Sequence, residues 1–327
     1  MNLLVLGGTV FLGRHIVEAA QQRGHRVTLF NRGRSNPRLF PELERLAGDR
    51  DGDLSALAGR SWDAAIDTCG YLPRVVRASA EALAGAVERY AFVSSISVYS
   101  DGLPPGVDET APVARIPDPA IETVDGRTYG PLKALCEAAA EAAMPGRVLN
   151  LRPGLIVGPG DPTDRFTYWP LRIARGGPFL APEGPEAPAQ IIDVRDLADW
   201  TVRAIEAGRV GTYNACGPVL GLGEVFEACR VASGSAARPV WCPPETLLAA
   251  GLRPFLDLPL WVPPAEQGLC QVDGAKARAA GLRCRPIGQT VADTLAWARE
   301  ARPEGRPLRA GPSPEREAEL LAGLAAG

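Results

Sequence analysis

The first thirty residues constrain the fold more than any other stretch. Asn2 to Leu6 (NLLVL) is a short apolar run, followed by Gly7-Gly8-Thr9-Val10-Phe11-Leu12-Gly13. Arg14 to Arg23 has helical period, Gly24 ends it, and His25 to Phe30 (HRVTLF) is a second apolar run. Strand, glycine turn, helix and strand in this compass make a βαβ unit, which commits the chain to a parallel sheet. Glycine in such a turn takes φ > 0, and without a Cβ it lets the backbone approach a pyrophosphate at the helix N-terminus. Gly7, Gly8, Thr9, Phe11, Leu12 and Gly13 are therefore expected to hold a dinucleotide. The spacing is GGxxxxG, not the usual GxGxxG or GxxGxxG.

Further buried strands are expected at Ala64–Ile66, Arg89–Ser94 and Val148–Leu151, with helices at Pro73–Val87 and Leu132–Ala143. This alternation predicts an α/β fold, a Rossmann-like doubly wound parallel sheet with a smaller substrate-binding lobe. Residues 1–152 form the dinucleotide-binding domain, completed by about 191–217. There Ile191–Val194 and Gly211–Ala215 read as strands and Asp196–Glu206 as a helix. Residues 153–190 are rich in proline and glycine, with a short helix near Trp169–Arg175, and 218–287 read as irregular. Together 153–190 and 218–300, with a late helix from Ile287, are assigned to the substrate lobe. Residues 301–327 are a C-terminal tail with a charged helix around Pro314–Leu324 and no catalytic role.

Composition excludes several classes. Hydrophobic residues make up 46% of the chain and charged residues 22%, the mix of a globular protein. No apolar run has the roughly 18 residues a membrane span needs. The N-terminus reads as a first strand, with no basic region of a signal peptide, so a cytoplasmic location is expected. A net charge of -3 without charge blocks argues against a nucleic-acid surface. The seven scattered cysteines form no CxxC pair and are expected to be reduced. The two histidines, His15 and His25, lie near the N-terminus, so no metal site and no Ser-His-Asp triad is expected later in the chain. The expected partner is a small-molecule substrate, and the expected assembly, if any, a homodimer.

The second strand ends in Asn31-Arg32-Gly33-Arg34, with no acidic residue. A carboxylate there would bond the 2′-hydroxyl of NAD, whereas an arginine accommodates the 2′-phosphate of NADP. NADP is therefore expected over NAD, with Asn31 and Arg32 at the ribose. Gly48-Asp49-Arg50 follows the third candidate strand, which places Asp49 and Arg50 beside the adenine.

Only two of the 35 basic residues are lysines, Lys133 and Lys276. A lysine retained against such a bias suggests chemistry that arginine cannot do. Tyr129-Gly130-Pro131-Leu132-Lys133 is Y-x-x-x-K, and positions i and i+4 share a helix face. Pro131 falls in the first turn, where its missing N–H is harmless. A phenol titrates near pH ~10, and a fixed cation beside it lowers that value. The run Phe92-Val93-Ser94-Ser95-Ile96-Ser97 ends a strand in hydroxyls, at the edge of a parallel sheet where ligands bind.

These residues resemble the extended branch of the short-chain dehydrogenase/reductase superfamily, the NAD-dependent epimerase/dehydratase family. The likeness runs from Met1 to about Trp297. It rests on the glycine turn, Ser95-x-x-Val98-Tyr99, Tyr129 to Lys133, Arg152-Pro153-Gly154, Ile192 to Ala198 and Gly211-Thr212-Tyr213-Asn214. It implies Ser95, Tyr129 and Lys133 as catalytic residues, with Lys133 and Pro153 also touching the cofactor. The GGxxxxG spacing resembles an atypical subgroup. Sugar dehydratases carry Asp-Glu after the catalytic threonine, where this chain has Ile96-Ser97. Nucleotide-sugar epimerases carry a diphosphate-binding arginine where this chain has Ala189, leaving Arg165, Arg172 or Arg175 as substitutes.

The resemblance implies an NAD(P)-dependent oxidoreductase or epimerase acting on a carbinol or carbonyl carbon of a small, sugar-like substrate, with Tyr129 as acid and base. The alternative is a non-catalytic dinucleotide sensor or RNA-binding protein on the same fold. Asp101 to Asp125, with prolines at 104, 105, 112, 117 and 119, is expected to be a lid over the nicotinamide end, its base fixed by Asp108 and Glu109.

Overall fold

The computed structural model describes residues 1–118, 120–301 and 307–326; Pro119 of the expected lid lies outside them. The strands are β1 (Asn2–Leu6), β2 (Arg26–Asn31), β3 (Glu44–Ala47), β4 (Trp62–Asp67), β5 (Val87–Val93), β6 (Val148–Pro153), β7 (Leu155–Val157), β8 (Pro178–Pro182), β9 (Pro188–Asp193), β10 (Gly211–Ala215), β11 (Val219–Gly221) and β12 (Arg238–Cys242). The α-helices are α1 (Phe11–Gln22), α2 (Pro73–Leu83), α3 (Tyr129–Ala143), α4 (Tyr168–Ala174), α5 (Val194–Glu206), α6 (Leu222–Ser233), α7 (Pro244–Ala249), α8 (Ala275–Ala279), α9 (Ile287–Ala301) and α10 (Pro314–Ala326).

Two compact units emerge. The first contains Met1–Gly154, Val194–Cys216 and Val272–Arg283. Its seven strands run in the order β10-β6-β5-β4-β1-β2-β3, every pair parallel. This is a Rossmann-like sheet. Leu3, Leu4, Val5 and Leu6 are all fully buried, as a strand covered on both faces must be. Because crossovers are right-handed, helices on the two sides of the β1–β4 step go to opposite faces. Accordingly α1 packs on α5 and α2 on α3. The strand order reverses between β1 and β4, and the carboxyl ends of strands at such a switch point are where ligands bind.

The second unit contains Leu155–Asp193, Gly217–Gln271 and Cys284–Gly327. In it β9 pairs with β7 in parallel and with β11 antiparallel, while β8 pairs with β12. Its core is aromatic: the Trp169 and Phe226 rings lie 4.4 Å apart and those of Phe179 and Phe226 5.3 Å.

Three expectations are corrected. Residues 218–287 are not irregular, since they hold β11, α6, β12, α7 and α8. Leu222, Val225, Phe226 and Cys229 are buried on one face of α6, and their i, i+3, i+4, i+7 spacing is the signal that marks it. Residues 272–283 join the first unit and not the lobe, through Asp273 N–H donating to Val107 O and Asn214 Nδ2 donating to Asp273 O. The tail is built into the second unit: Glu317 of α10 is buried, accepting from Arg172 Nε at 2.5 Å and Leu180 N–H at 3.1 Å.

Candidate active site

The glycine turn leaves β1 and opens α1. Gly7 has φ +104° and Gly8 φ +85°, conformations that side chains avoid. A Cβ on Gly8 would lie 2.7 Å from Leu29 Cδ2, and one on Gly13 2.9 Å from the Gly8 nitrogen. Gly13 is thus small so that the helix can close on its own turn. Phe11, at φ +34°, begins α1 in a strained conformation of the kind that clusters at ligand sites. Thr9 and Leu12 are buried. Asn31 Nδ2 donates to Gly7 O at 2.9 Å and Asn36 Nδ2 to Thr9 O at 2.7 Å. Asn31 therefore fastens the turn to the end of β2, a role its place in the sequence does not reveal.

Arg32 is half-exposed and stands 3.8 Å from Asp49, a loose surface pairing. Arg50 is committed elsewhere. Its Nη1 and Nη2 donate to the two oxygens of Asp67 at 2.5 and 2.6 Å, and Asp67 is fully buried at the end of β4. Tyr90 Oη and Cys69 N–H also donate to that carboxylate, at 2.7 and 3.0 Å. Burial pushes the Asp67 carboxyl up, but the Arg50 guanidinium outweighs it and holds the carboxyl below its usual range. Arg50 thus holds the loop after β3 to the end of β4, beside the turn.

Lys133 lies one turn into α3, whose first residue is Tyr129. Its Nζ donates to Gly70 O at 2.8 Å and Val93 O at 2.5 Å, the carboxyl ends of β4 and β5. Burial is the main influence on the ammonium and lowers it to about 8, against the opposing pull of Cys136 and Asp67. Ser95 lies two residues beyond β5 and caps the turn that follows: its Oγ accepts from Ser97 N–H and lies 3.1 Å from Ser97 Oγ. The N-terminus of α3 is pressed onto this serine turn, because a Cβ on Gly130 would stand 2.0 Å from Ser97 O. The glycine after Tyr129 brings tyrosine, lysine and serine to one end of the sheet. Tyr71 joins them unannounced by any motif, its ring 6.4 Å from that of Tyr129.

A buried polar network backs this site. Glu137, one turn beyond Lys133, accepts from Arg152 Nε and Nη2 at 2.9 and 2.6 Å. The Arg152 guanidinium lies 4.9 Å from the Tyr99 ring centroid, Tyr99 Oη donates to Asn214 Oδ1 at 2.6 Å, and Asn214 N–H donates to Glu109 Oε1 at 2.7 Å. Glu109 therefore fixes the base of the 101–125 loop. Residues 107–114 are stitched down further by the Tyr99–Val113 bridge and by Ala114 N–H donating to Val98 O. Asp108 caps Thr110, through its backbone N–H and its hydroxyl. Pro153 closes β6, paired with Ala215. Among the described residues no His, Cys, Asp and Glu group could hold a metal. All seven cysteines are free thiols, and no described helix is long and apolar enough to cross a membrane.

In the second unit, Arg172 is spent on Glu317, which removes it as an anion-binding substitute. The Arg165 guanidinium lies over the Phe255 ring at 5.3 Å.

Residues 59–216 match the NAD dependent epimerase/dehydratase family. The glycine turn precedes the matched span, and Ser95, Tyr129 and Lys133 lie within it. The epimerase family protein SDR39U1 of Bos taurus is 27% identical over 260 residues, covering 74% of this chain and 83% of that protein. The chloroplast stem-loop binding protein of 41 kDa b of Arabidopsis thaliana is 27% identical over 223 residues, 60% of this chain and 53% of that one. Among solved structures, Thermus thermophilus UDP-glucose 4-epimerase in complex with NAD superposes with a TM-score of 0.65 at 18% identity, covering 92% of this chain and all of that one. The likeness to this structure is one of fold.

Proposed function

We propose that the protein is an NAD(P)-dependent oxidoreductase or epimerase acting on a carbinol or carbonyl carbon of a small, sugar-like substrate. The observation that carries this reading is the convergence of Ser95, Tyr129 and Lys133 on the carboxyl ends of β5 and β4, next to the glycine turn. The turn suits a dinucleotide: Gly7 and Gly8 hold positive φ, and the start of α1 carries no side-chain cap on its N–H groups. Gly7 to Gly13 would hold the pyrophosphate, Lys133 the nicotinamide ribose, and Pro153 the nicotinamide side. A bound nicotinamide supplies the hydride acceptor or donor.

The chain's own residues supply the proton chemistry. Tyr129 exchanges a proton with the substrate oxygen, which Ser95 orients by a hydrogen bond. Lys133 favours the phenolate by its charge, and two of its three protons are already directed to Gly70 O and Val93 O, which fixes the ammonium. The family match and the likeness to the T. thermophilus UDP-glucose 4-epimerase favour nucleotide-sugar chemistry. Arg32 and the lack of a carboxylate at the end of β2 favour NADP. Substrate selection is assigned to the second unit.

Wild type and Tyr129→Phe, incubated with nucleoside-diphosphate sugars and simple carbonyl compounds plus each dinucleotide, test the reading. Absorbance at 340 nm reports net reduction and NMR of the sugar reports epimerisation. We expect one of these with wild type and a loss of at least about 100-fold in Tyr129→Phe. Turnover that survives the substitution contradicts the assignment.

A further inference from the structure

Lys133 is enclosed by two aromatic rings. Its Nζ lies 4.4 Å from the Phe92 ring centroid and 5.3 Å from that of Tyr71. Gly70 makes this enclosure possible. A Cβ there would stand 2.6 Å from both Phe92 and Val76 and 3.1 Å from Asp67 Oδ2. Glycine therefore lets the chain press against Phe92, aim its carbonyl at Lys133, and bring the next residue's ring over the ammonium. Tyr71 as a residue is 48% exposed while Lys133 is only 4% exposed. An exposed tyrosine whose ring borders a buried ammonium is a wall between that ammonium and solvent. Its ring lies also 6.4 Å from that of Tyr129.

We propose that Tyr71 is a positioning residue that caps Lys133, its ring over the ammonium keeping bulk water away beside Tyr129. The identification of Lys133 and Tyr129 as the working pair rests on the function proposed above; the capping itself does not. Two influences of the ring oppose each other. Its face attracts a cation, which favours the charged lysine. Its bulk excludes water, which disfavours it. Burial is the largest influence on Lys133 and lowers it to about 8, and the Tyr71 ring is part of what surrounds the ammonium. The other groups around the ammonium are Cys136 and Glu137 on its own helix and Asp67, Arg50 and Cys69 from the β4 side.

The chain has only two lysines, so the test is direct. In protein labelled with 13C-lysine, two Cε resonances are followed against pH, with Lys276→Arg assigning them. Wild type is expected to show Lys133 titrating near 8. Tyr71→Phe keeps the ring and is expected to match wild type. Tyr71→Ala and Tyr71→Ser open the ammonium to water and are expected to move its titration up by about one pH unit or more, towards 10.5. If both small variants titrate as wild type does, or if Tyr71→Phe shifts as far as they do, Tyr71 does not cap Lys133. NAD+ or NADP+ added to wild type should also perturb the Lys133 resonance. If neither does while the shift in the small variants is seen, the capping stands and the dinucleotide reading fails.

Discussion

Asp67→Asn is the substitution that most sharply probes how the site is held. It keeps the size of the side chain and removes its charge. In wild type the carboxylate is fully buried and accepts four hydrogen bonds, two from Arg50 and one each from Tyr90 and Cys69. An asparagine has one acceptor oxygen to offer, and its amide hydrogens face the Arg50 donors. Arg50 is then a buried cation without a counter-charge, and breaking a buried pair in this way costs about 3–5 kcal/mol. For a domain of this size each kcal/mol lowers Tm by roughly 2–4 °C, so a fall of roughly 6–20 °C is expected. The pH dependence supplies a second check. The Asp67 carboxyl titrates below its usual value in the fold, so its contribution is present above about pH 4 and is lost as the pH falls through the folded value. The gap between wild type and Asp67→Asn should be full at pH 7 and narrow below about pH 4. Arg50→Met combined with Asp67→Leu removes both charges and should cost less than Asp67→Asn alone. Denaturant titrations of the three proteins at pH 7 and pH 3.5 decide it. A gap under about 1 kcal/mol at pH 7, or a double variant worse than the single one, refutes the reasoning.

Gly8→Ala forces a side chain into φ +85° and against Leu29, and should cost about 1–3 kcal/mol in chemical denaturation together with most dinucleotide affinity in calorimetry. Glu317→Gln leaves the buried Arg172 without its counter-charge, so amide exchange across α10 should accelerate sharply and stability should fall by about 3–5 kcal/mol. In the 101–125 loop, residues 107–114 are already pinned, whereas Glu122 is held by an exposed ion pair with Arg74 at 2.5 Å. Hydrogen exchange with NADP+ should therefore increase protection over 115–125 and leave 107–114 unchanged. Equal protection throughout removes the lid.

Features set by local sequence were legible in advance. The glycine turn, the Y-x-x-x-K helix and the hydroxyl-ended strand each have their cause within a few residues, and the doubly wound sheet follows from their alternation. Features set by distant partners were not. Nothing near Arg50 announces that Asp67 will take its guanidinium, because the pairing depends on the loop after β3 reaching the end of β4. Tyr71 carries no motif, and its place follows from the absent side chain of Gly70. The Glu137–Arg152–Tyr99–Asn214–Glu109 network joins residues scattered over more than a hundred positions. Helix α6 is different: its apolar period is plain, but flanking glycine and proline obscure it. Glu317 reads as one charge among many in a charged helix, and only the fold shows it buried against Arg172.

On the proposed function, the end of the sheet bearing Ser95, Tyr129 and Lys133 holds a nicotinamide dinucleotide in the Gly7–Gly13 turn. Calorimetric titration of nucleotide-stripped protein with NAD+ and NADP+, on wild type and Arg32→Ala, tests it most directly. Wild type should bind both and prefer NADP+, and Arg32→Ala should lose about 1.5–3 kcal/mol for NADP+ while NAD+ binding barely changes. Binding of neither nucleotide by folded wild-type protein contradicts the account.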